Sequence, residues 1–546
     1  MNRPVRRTVH ASHPAVPFLF IFLLGPLTAS EAGQTQPTRI LTLEEALELA
    51  QSRSEQMVIA QAGIDRADGE LVRARSELFP QLSGSASYDR ALASEFSGIF
   101  DTPAAAPCPP FVANPSGSVD ERLGELERAV DCGATGAPEP GIGDFEDLPF
   151  GRENTYRFNL SFSQNLFSGG RIGARTAIAN AGQQTAAITL ASTRAQLLLD
   201  VVRAYYDAAL SERLLVIAEA SHEQADATYR QAQLMFQAGS QPEFELLRAQ
   251  VTRDNLRPGI IRSRADRDIA MLRLKQLLDM PRSERVTLSA PLEGDTLPPP
   301  ASFAAGVILA SEIEIPEIDR APVRQAETSV RQSEAAVDVA RAQRFPTISL
   351  TSSYGDVAYP SGAFPSVADF RRNWTIGAIV QVPILTGGRL RAEEAIARAD
   401  TRIAEAQLQQ ARELALLDTQ SAYEELRASV ASWQASAGTV QQAERAYEIA
   451  ELRYREGVST QLELNDSRLL LVQAQATRAT AGRDLQVARA RVALLPDLPL
   501  GTTGATTLQM ATTPGTQTPQ QQTLVPTTPV IRATGAQDVA GRGGRQ

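Results

Sequence analysis

Two hydrophobic periodicities take turns along this chain. Leu82, Gly84, Ala86 and Tyr88 alternate with Gln81, Ser83, Ser85 and Ser87, and Tyr156, Phe158, Leu160 and Phe162 alternate with Arg157, Asn159, Ser161 and Ser163. Further on, Ile348, Leu350 and Tyr354 share a face opposed by Thr347, Ser349, Thr351 and Ser353. Trp374, Ile376, Ala378, Val380 and Val382 alternate with Asn373, Thr375, Gly377, Ile379 and Gln381. A period of two predicts four strands of about ten residues. Such segments suit a barrel wall in lipid, although a soluble amphipathic sheet alternates in the same way.

The second period is helical. Residues 171–238 hold no proline, with Gly173 and Gly182 the only interruptions, and residues 389–456 hold none, with Gly438 alone. At 1.5 Å per residue each run predicts a helix about 100 Å long. Leu197, Val201, Ala204, Ala208, Ser211, Leu215 and Ala218 follow the four-three spacing of a coiled-coil seam. Its alanines and serine predict close helix approach. Shorter helices are predicted at roughly 43–78, 242–278, 319–344 and 460–494. Pro258–Gly259 should kink or break the second of these.

The elements recur in order. Residues 166–171 read LFSGGR and residues 384–389 read ILTGGR, an offset of 218 that also relates Ala204–Tyr205 to Ala422–Tyr423, Tyr229 to Tyr447, Gly239 to Gly457, Glu245 to Glu463 and Leu246 to Leu464. FPQLSGSASY from Phe79 matches FPTISLTSSY from Phe345, at an offset of 266. The chain is an internal duplication. The first copy carries an insertion of 48 residues between Tyr88 and Tyr156, rich in proline and glycine.

Composition then fixes the compartment. Arg3, Arg6 and Arg7 precede the apolar run PFLFIFLLGPL at 17–27 and small residues at 28–32, the layout of a secretory signal. This predicts a signal peptide at 1–30 and an exported chain. No later run is long and apolar enough for a membrane helix, so entry into a membrane has to be by strands. A net charge of −10 disfavours nucleic acid. Arginine supplies all but one of the 53 basic residues, the exception being Lys275, which is read as coding bias. Cys108 and Cys132, the only cysteines, favour a disulfide in an oxidising compartment over a metal site. Closing that loop would contribute roughly 3 kcal/mol. His222 is the one histidine outside the leader and reads as a solvated helix-surface residue. No nucleophile–base pair, phosphate loop or zinc motif is present, so neither an enzyme nor a cofactor is expected.

Four strands cannot close a barrel, and open edges leave backbone groups unsatisfied in lipid. Three copies would give twelve strands. Both long helices begin directly after a strand, at Gly169–Gly170 and Gly387–Gly388, so they leave the membrane on one side. The loops at 89–155 and 355–372 then lie outside the cell, with Gly239 and Gly457 about 100 Å into the periplasm.

With these parts in place, the chain resembles the TolC-like outer-membrane efflux family over about residues 40–495. The resemblance rests on LTLEEALELA at Leu41, the paired FP-plus-strand segments, LFSGGR and ILTGGR, MFQAGSQPEFELLRAQ, and YREGVSTQLELNDSRLLL. It implies a mainly α fold with membrane β: a homotrimer sharing a 12-stranded barrel and a long periplasmic helical barrel. It further implies a periplasmic adaptor and an inner-membrane pump of resistance-nodulation-division or ABC type, with the outer membrane's lipid as surroundings. By the same resemblance, Gly239, Gly457, Tyr454, Phe236, Val458 and Ser459 form the periplasmic-tip turns that meet the adaptor, with Tyr454 at a gate position.

Glu245, Glu463 and Asp466 would give a trimer a ring of carboxylates favouring cations; alternatively they are ordinary first-turn acids. Ser459 stands where the family often has arginine, which leaves Arg455 or Arg248 to substitute. The first repeat is placed at 31–280, an inter-repeat linker around the middle of the helices at 281–318, and the second repeat at 319–498. A Thr/Gln/Pro/Gly-rich tail at 499–546 reads as disordered. The function expected is passive export of small toxic compounds, with one-step protein secretion or a structural coiled-coil envelope protein as alternatives.

Overall fold

The computed structural model describes residues 39–93, 109–133, 152–290, 292, 297–303, 319–360 and 362–501. The expected signal peptide, Cys108 and all of the tail beyond 501 lie outside these residues. One compact unit, Met1–Pro499, contains every element below; the other is Leu500–Gln546.

The elements are β1 (Arg39–Leu41), α1 (Leu43–Arg53), α2 (Glu55–Ser76), β2 (Gln81–Arg90), α3 (Val119–Asp131), β3 (Asn154–Phe167), α4 (Arg171–Gln237), α5 (Glu243–Leu277), β4 (Val286–Leu288), α6 (Ala321–Ala342), β5 (Thr347–Ala358), β6 (Phe370–Gln381), α7 (Arg389–Arg455) and α8 (Gln461–Leu494). The two long helices are 67 residues each, about 100 Å at the α-helical rise. Each starts from a glycine in the left-handed region, Gly170 (φ +89°) and Gly388 (φ +86°), preceded by Gly169 (φ +62°) and Gly387 (φ +58°). A β-carbon on Gly169 would stand 2.7 Å from Phe345 Cβ and 2.8 Å from the Ala342 carbonyl. The strand-to-helix turn of the first repeat is thus packed against the end of α6.

The four membrane-type strands form one antiparallel sheet in the order β2-β3-β5-β6. Its register puts Leu82, Gly84, Ala86 and Tyr88 opposite Phe162, Leu160, Phe158 and Tyr156. On the same face, Leu160 pairs with Tyr354 and Tyr354 with Trp374. Directly opposed residues share a face, so the expected apolar positions gather on one side of the sheet. Ser83, Ser85, Ser161, Asn159, Ser353, Thr351, Thr375 and Gly377 occupy the other. Tyr88 and Tyr156 (centroids 4.7 Å apart), Phe158 and Phe370, and Tyr354 and Trp374 gather at the end remote from the helices.

The helices pack as a layer. On the sheet side, α4 packs against α2 and α6, and α6 against α7; on the turn side, α5 and α8 flank α4, and α7 packs on α8. The main core lies midway, where Leu41, Leu43 and Leu47 meet Leu197, Val201, Tyr205, Leu274, Leu278 and Val487. The buried Tyr205 hydroxyl donates to the Leu41 carbonyl at 3.0 Å. Of the expected seam, Leu197, Val201, Ala208 and Leu215 are buried, but so are Val202, Tyr205, Tyr206, Ala209 and Ile217. The buried face of α4 is wider than a two-helix seam because it serves neighbours on both flanks.

Two expectations need correction and two gain detail. The predicted helix over 43–78 is two helices, because Ser54 takes an extended conformation and its hydroxyl caps α2 by accepting from Gln56 N–H. The helix at 243–277 runs through Pro258 without a break. Pro258 and Gly259 are exposed, so the proline stands at the helix surface rather than in the packed interior. The expected loop 89–155 carries α3, opened by a reciprocal Ser118–Glu121 capping box. The linker contributes β4, paired in parallel with β1, and buries Leu292, Leu297 and Phe303.

Candidate functional site

The candidate site is the pair of turns that end the long helices. Both close in the same way. Gly239 (φ +73°) donates to the Phe236 carbonyl while Ser240 donates to that of Met235. Gly457 (φ +70°) donates to the Tyr454 carbonyl while Val458 and Ser459 donate to that of Arg453. These are Schellman caps, which place glycine where an L side chain is strained. The two shared hydrogen bonds carry the duplication down to single backbone groups, and Ser459 adds a third in the second turn. The following helices differ at their start: Pro242 offers no side-chain cap, whereas Thr460 Oγ accepts from Glu463 N–H at 3.4 Å.

The two turns of one chain meet. Gln461, the first residue of α8, is 1% exposed. With its amide nitrogen toward α5 it donates to the Glu245 carbonyl (3.1 Å) and to Glu245 Oε2 (2.9 Å), and its oxygen accepts from Ala249 N–H (3.1 Å). Tyr454 is buried beside them, in a cluster with Tyr447, Ala450, Leu464 and Leu471. Burial raises its hydroxyl pKa; neighbouring Gln241 opposes the shift and the Glu245 charge adds to it. Among the described residues, Tyr454 Oη, Gln241 Oε1 and Ser459 Oγ are buried without a hydrogen-bond partner. Arg468, also buried, has its pKa lowered by desolvation.

The structure therefore brings Tyr454, Gly457, Ser459, Gly239 and Glu245 into one tip and separates the three acids. Glu463 pairs with Arg453 at 3.0 Å. Glu245 is held by Gln461, and Asp466 is exposed. Phe236, the first-repeat counterpart of Tyr454, is 40% exposed, and Val458 is 69% exposed. Arg455 pairs with Glu451 along its own helix. Gln461 and Arg453 had no signal in the local pattern; only the offset of 218, which puts Met235 opposite Arg453, marks a difference between the turns. In the insertion, Cys132 is disulfide-bonded. Among the described residues, His222 Nε2 is buried without a hydrogen-bond partner, and no metal-binding group of His, Cys, Asp or Glu occurs.

A transmembrane-type sheet, two helices of about 100 Å and a duplicated helical tip define an export-channel architecture. The model of the outer membrane efflux protein family matches residues 146–279 and 318–496, and the chain belongs to that family. It is similar to nodulation protein T of Rhizobium leguminosarum bv. trifolii, 26% identical over 343 residues, which are 60% of this chain and 70% of that one. It is also similar to the fusaric acid resistance protein FusA of Burkholderia cepacia, 28% identical over 260 residues, 46% of this chain and 45% of the relative. Its fold is that of the CmeC outer membrane channel of Campylobacter jejuni, with a TM-score of 0.63 at 16% identity over 84% of this chain and 86% of that one. The protein is thus an outer-membrane efflux component with a TolC-like fold, of a channel family rather than an enzyme family.

Proposed function

We propose that three copies of this chain form a passive duct that carries small toxic organic compounds across the outer membrane. A periplasmic adaptor and an inner-membrane pump, of resistance-nodulation-division or ABC type, would deliver the cargo. The observation that carries this reading is the four-stranded sheet with β2 and β6 unpaired at its edges. One face is apolar, and both long helices leave the same end. Edges of that kind are stable in lipid only when another copy pairs with them, and three copies give twelve strands. No helix among the described residues is long and apolar enough to cross a membrane; in this reading the strands span it. Similarity to a fusaric acid resistance protein supports a small organic cargo.

The tip is the gate in this reading. Gly239, Gly457, Val458, Phe236 and Ser459 present the surface that the adaptor meets, and Tyr454 seals the turn behind them. Glu245, Glu463 and Asp466 repeat three times around the narrow end and favour cations. Glu463 contributes least, because Arg453 neutralises it within the chain. Cys132 and Cys108 are paired in this account and staple the external insertion.

The test is single-channel conductance of the purified protein in planar bilayers. The expected result is a small cation-selective conductance whose selectivity weakens in Glu245→Gln/Asp466→Asn more than in Glu463→Gln. Equal loss in both variants would remove the assigned order of the acids. Absence of conductance together with unimpaired export in a deletion strain would remove the duct.

A further inference from the structure

The end of the helical layer next to the sheet carries a charge imbalance that duct function does not use. Across residues 70–78, 171–180, 336–345 and 389–398 there are nine arginines (Arg73, Arg75, Arg171, Arg175, Arg341, Arg344, Arg389, Arg391, Arg398) against five carboxylates. The whole chain, by contrast, carries −10. These four segments are neighbours in space. Arg175 pairs with Glu77 at 2.9 Å, joining α4 to α2. Gly169 abuts Phe345, joining α4 to α6, and Arg341 and Arg344 reach Glu394 from α6 to α7. The result is an arc of arginine-bearing helix ends next to the sheet.

Part of this arc is a built site. Glu394 is 4% exposed and its single carboxylate receives Arg341, Arg344 and Arg398. Those three side chains are each about half exposed, and with Asp338 counted the group keeps a surplus of one positive charge. Asp338 also approaches Arg341, at 3.3 Å. Arg73, Arg75 and Arg391 are exposed and make no ion pair among the described residues. The duplication retains the arrangement: Arg75 and Arg341 share the 266 offset, Arg171 and Arg389 the 218 offset.

Directly beyond the arginines stands exposed apolar surface. Leu78, Phe79, Phe345, Leu166, Phe167, Ile384 and Leu385 are all between 48% and 93% exposed, and the apolar face of the sheet follows. An apolar wall that ends in a line of guanidinium groups matches the boundary between acyl chains and head groups. Guanidinium forks bind phosphate oxygens in a bidentate manner.

We propose that this arc is a binding surface for the phosphate head groups of anionic phospholipids in the periplasmic leaflet of the outer membrane. The inference rests on the strands crossing that membrane. It is independent of the gate and of the cargo. Basic residues at a membrane surface each strengthen binding to anionic lipid about fivefold, and the attraction is screened by salt.

The test uses the full-length protein in mild detergent, titrated with phosphatidylglycerol or phosphatidylethanolamine and followed by native mass spectrometry. The variant Arg73→Gln/Arg75→Gln/Arg391→Gln removes only arginines without an ion pair, so folding is not at stake; Arg344→Gln/Arg398→Gln probes the Glu394 group. The expected result is preferential retention of phosphatidylglycerol by the wild type, weakened at least tenfold in the triple variant, with phosphatidylethanolamine binding unchanged. Equal retention of the two lipids, or an unaltered triple variant, would overturn the proposal. An oligomer that dissociates in the triple variant while each chain keeps its phosphatidylglycerol affinity would assign the arginines to a second copy of the chain. Loss of conductance with lipid preference intact would count against the duct and leave this proposal standing.

Discussion

Replacing Gln461 with alanine isolates the contact that holds the two turns of one chain together. The side chain supplies two donated hydrogen bonds and one accepted bond to α5, one of them to a carboxylate oxygen. A neutral hydrogen bond contributes about 1 kcal/mol net and one to a charged group about 1.5–3. The neighbouring α5 backbone pair keeps its helical bond, so its share of the loss is small. A destabilisation of about 2 kcal/mol follows, near thirtyfold in the closed-to-open ratio of each protomer. The assay is open probability in planar bilayers for wild type, Gln461→Ala, Glu245→Gln and the double variant. The account expects a higher open probability in Gln461→Ala and a coupling of at least 0.5 kcal/mol between the two sites, the range found for residues in contact. Arg453→Ala serves as the comparison. Its pair with Glu463 is 48% and 43% exposed, so at most about 1 kcal/mol is lost. Additive effects of Gln461 and Glu245, or a larger opening from Arg453→Ala, would refute the reasoning.

Three more outcomes follow from the same structure. Gly169→Ala combines a left-handed φ with a β-carbon 2.7 Å from Phe345 and should cost about 2–4 kcal/mol. Gly170→Ala meets nothing within 4 Å and should cost only about 1–2 kcal/mol; equal thermal shifts would contradict the packing. Arg320 is 1% exposed and bound to Asp418 at 2.7 Å, to Thr419 and to the Leu498 carbonyl. Arg320→Ala should cost about 3 kcal/mol in thermal unfolding, moderated because Arg491 still pairs with Asp418. Tyr206 is pushed up to about 12, first by burial and then by the Glu44 charge. Its folded pKa lies above the unfolded value, so the stability it contributes is complete below about pH 10 and is lost between there and about 12. Tyr206→Phe should flatten unfolding midpoints across that window, and an unchanged slope would dismiss the coupling.

The long helices were legible to within a residue because every cue agreed. A Gly-Gly turn starts each, no proline interrupts, and a Schellman glycine ends each. The sheet faces were legible because a period of two admits one assignment. The break at Ser54 was missed because Ser-Arg-Ser lies inside an otherwise continuous helical pattern, and a single cap outweighed it. The strands β1 and β4 are three residues each, too short to show a period, and exist because the linker returns to the start of the chain. At the tip, the glycines and Tyr454 were readable from the repeat. Gln461 was not, since a polar residue opening a helix normally faces water, and its burial comes from α5, far away in sequence. Arg453 stays exposed and meets Glu463 across the turn, a pairing that no helical period marks.

The central claim is that three chains share one barrel, β2 of each pairing with β6 of the next. Cysteine pairs placed one at a time between Ser83, Ser85 or Ser87 and Thr375, Gly377 or Ile379, followed by oxidation in isolated outer membranes, test it directly. The account predicts crosslinks between chains that form dimers and circular trimers and stop there. Crosslinks confined within a chain, or a ladder running past three, would contradict it.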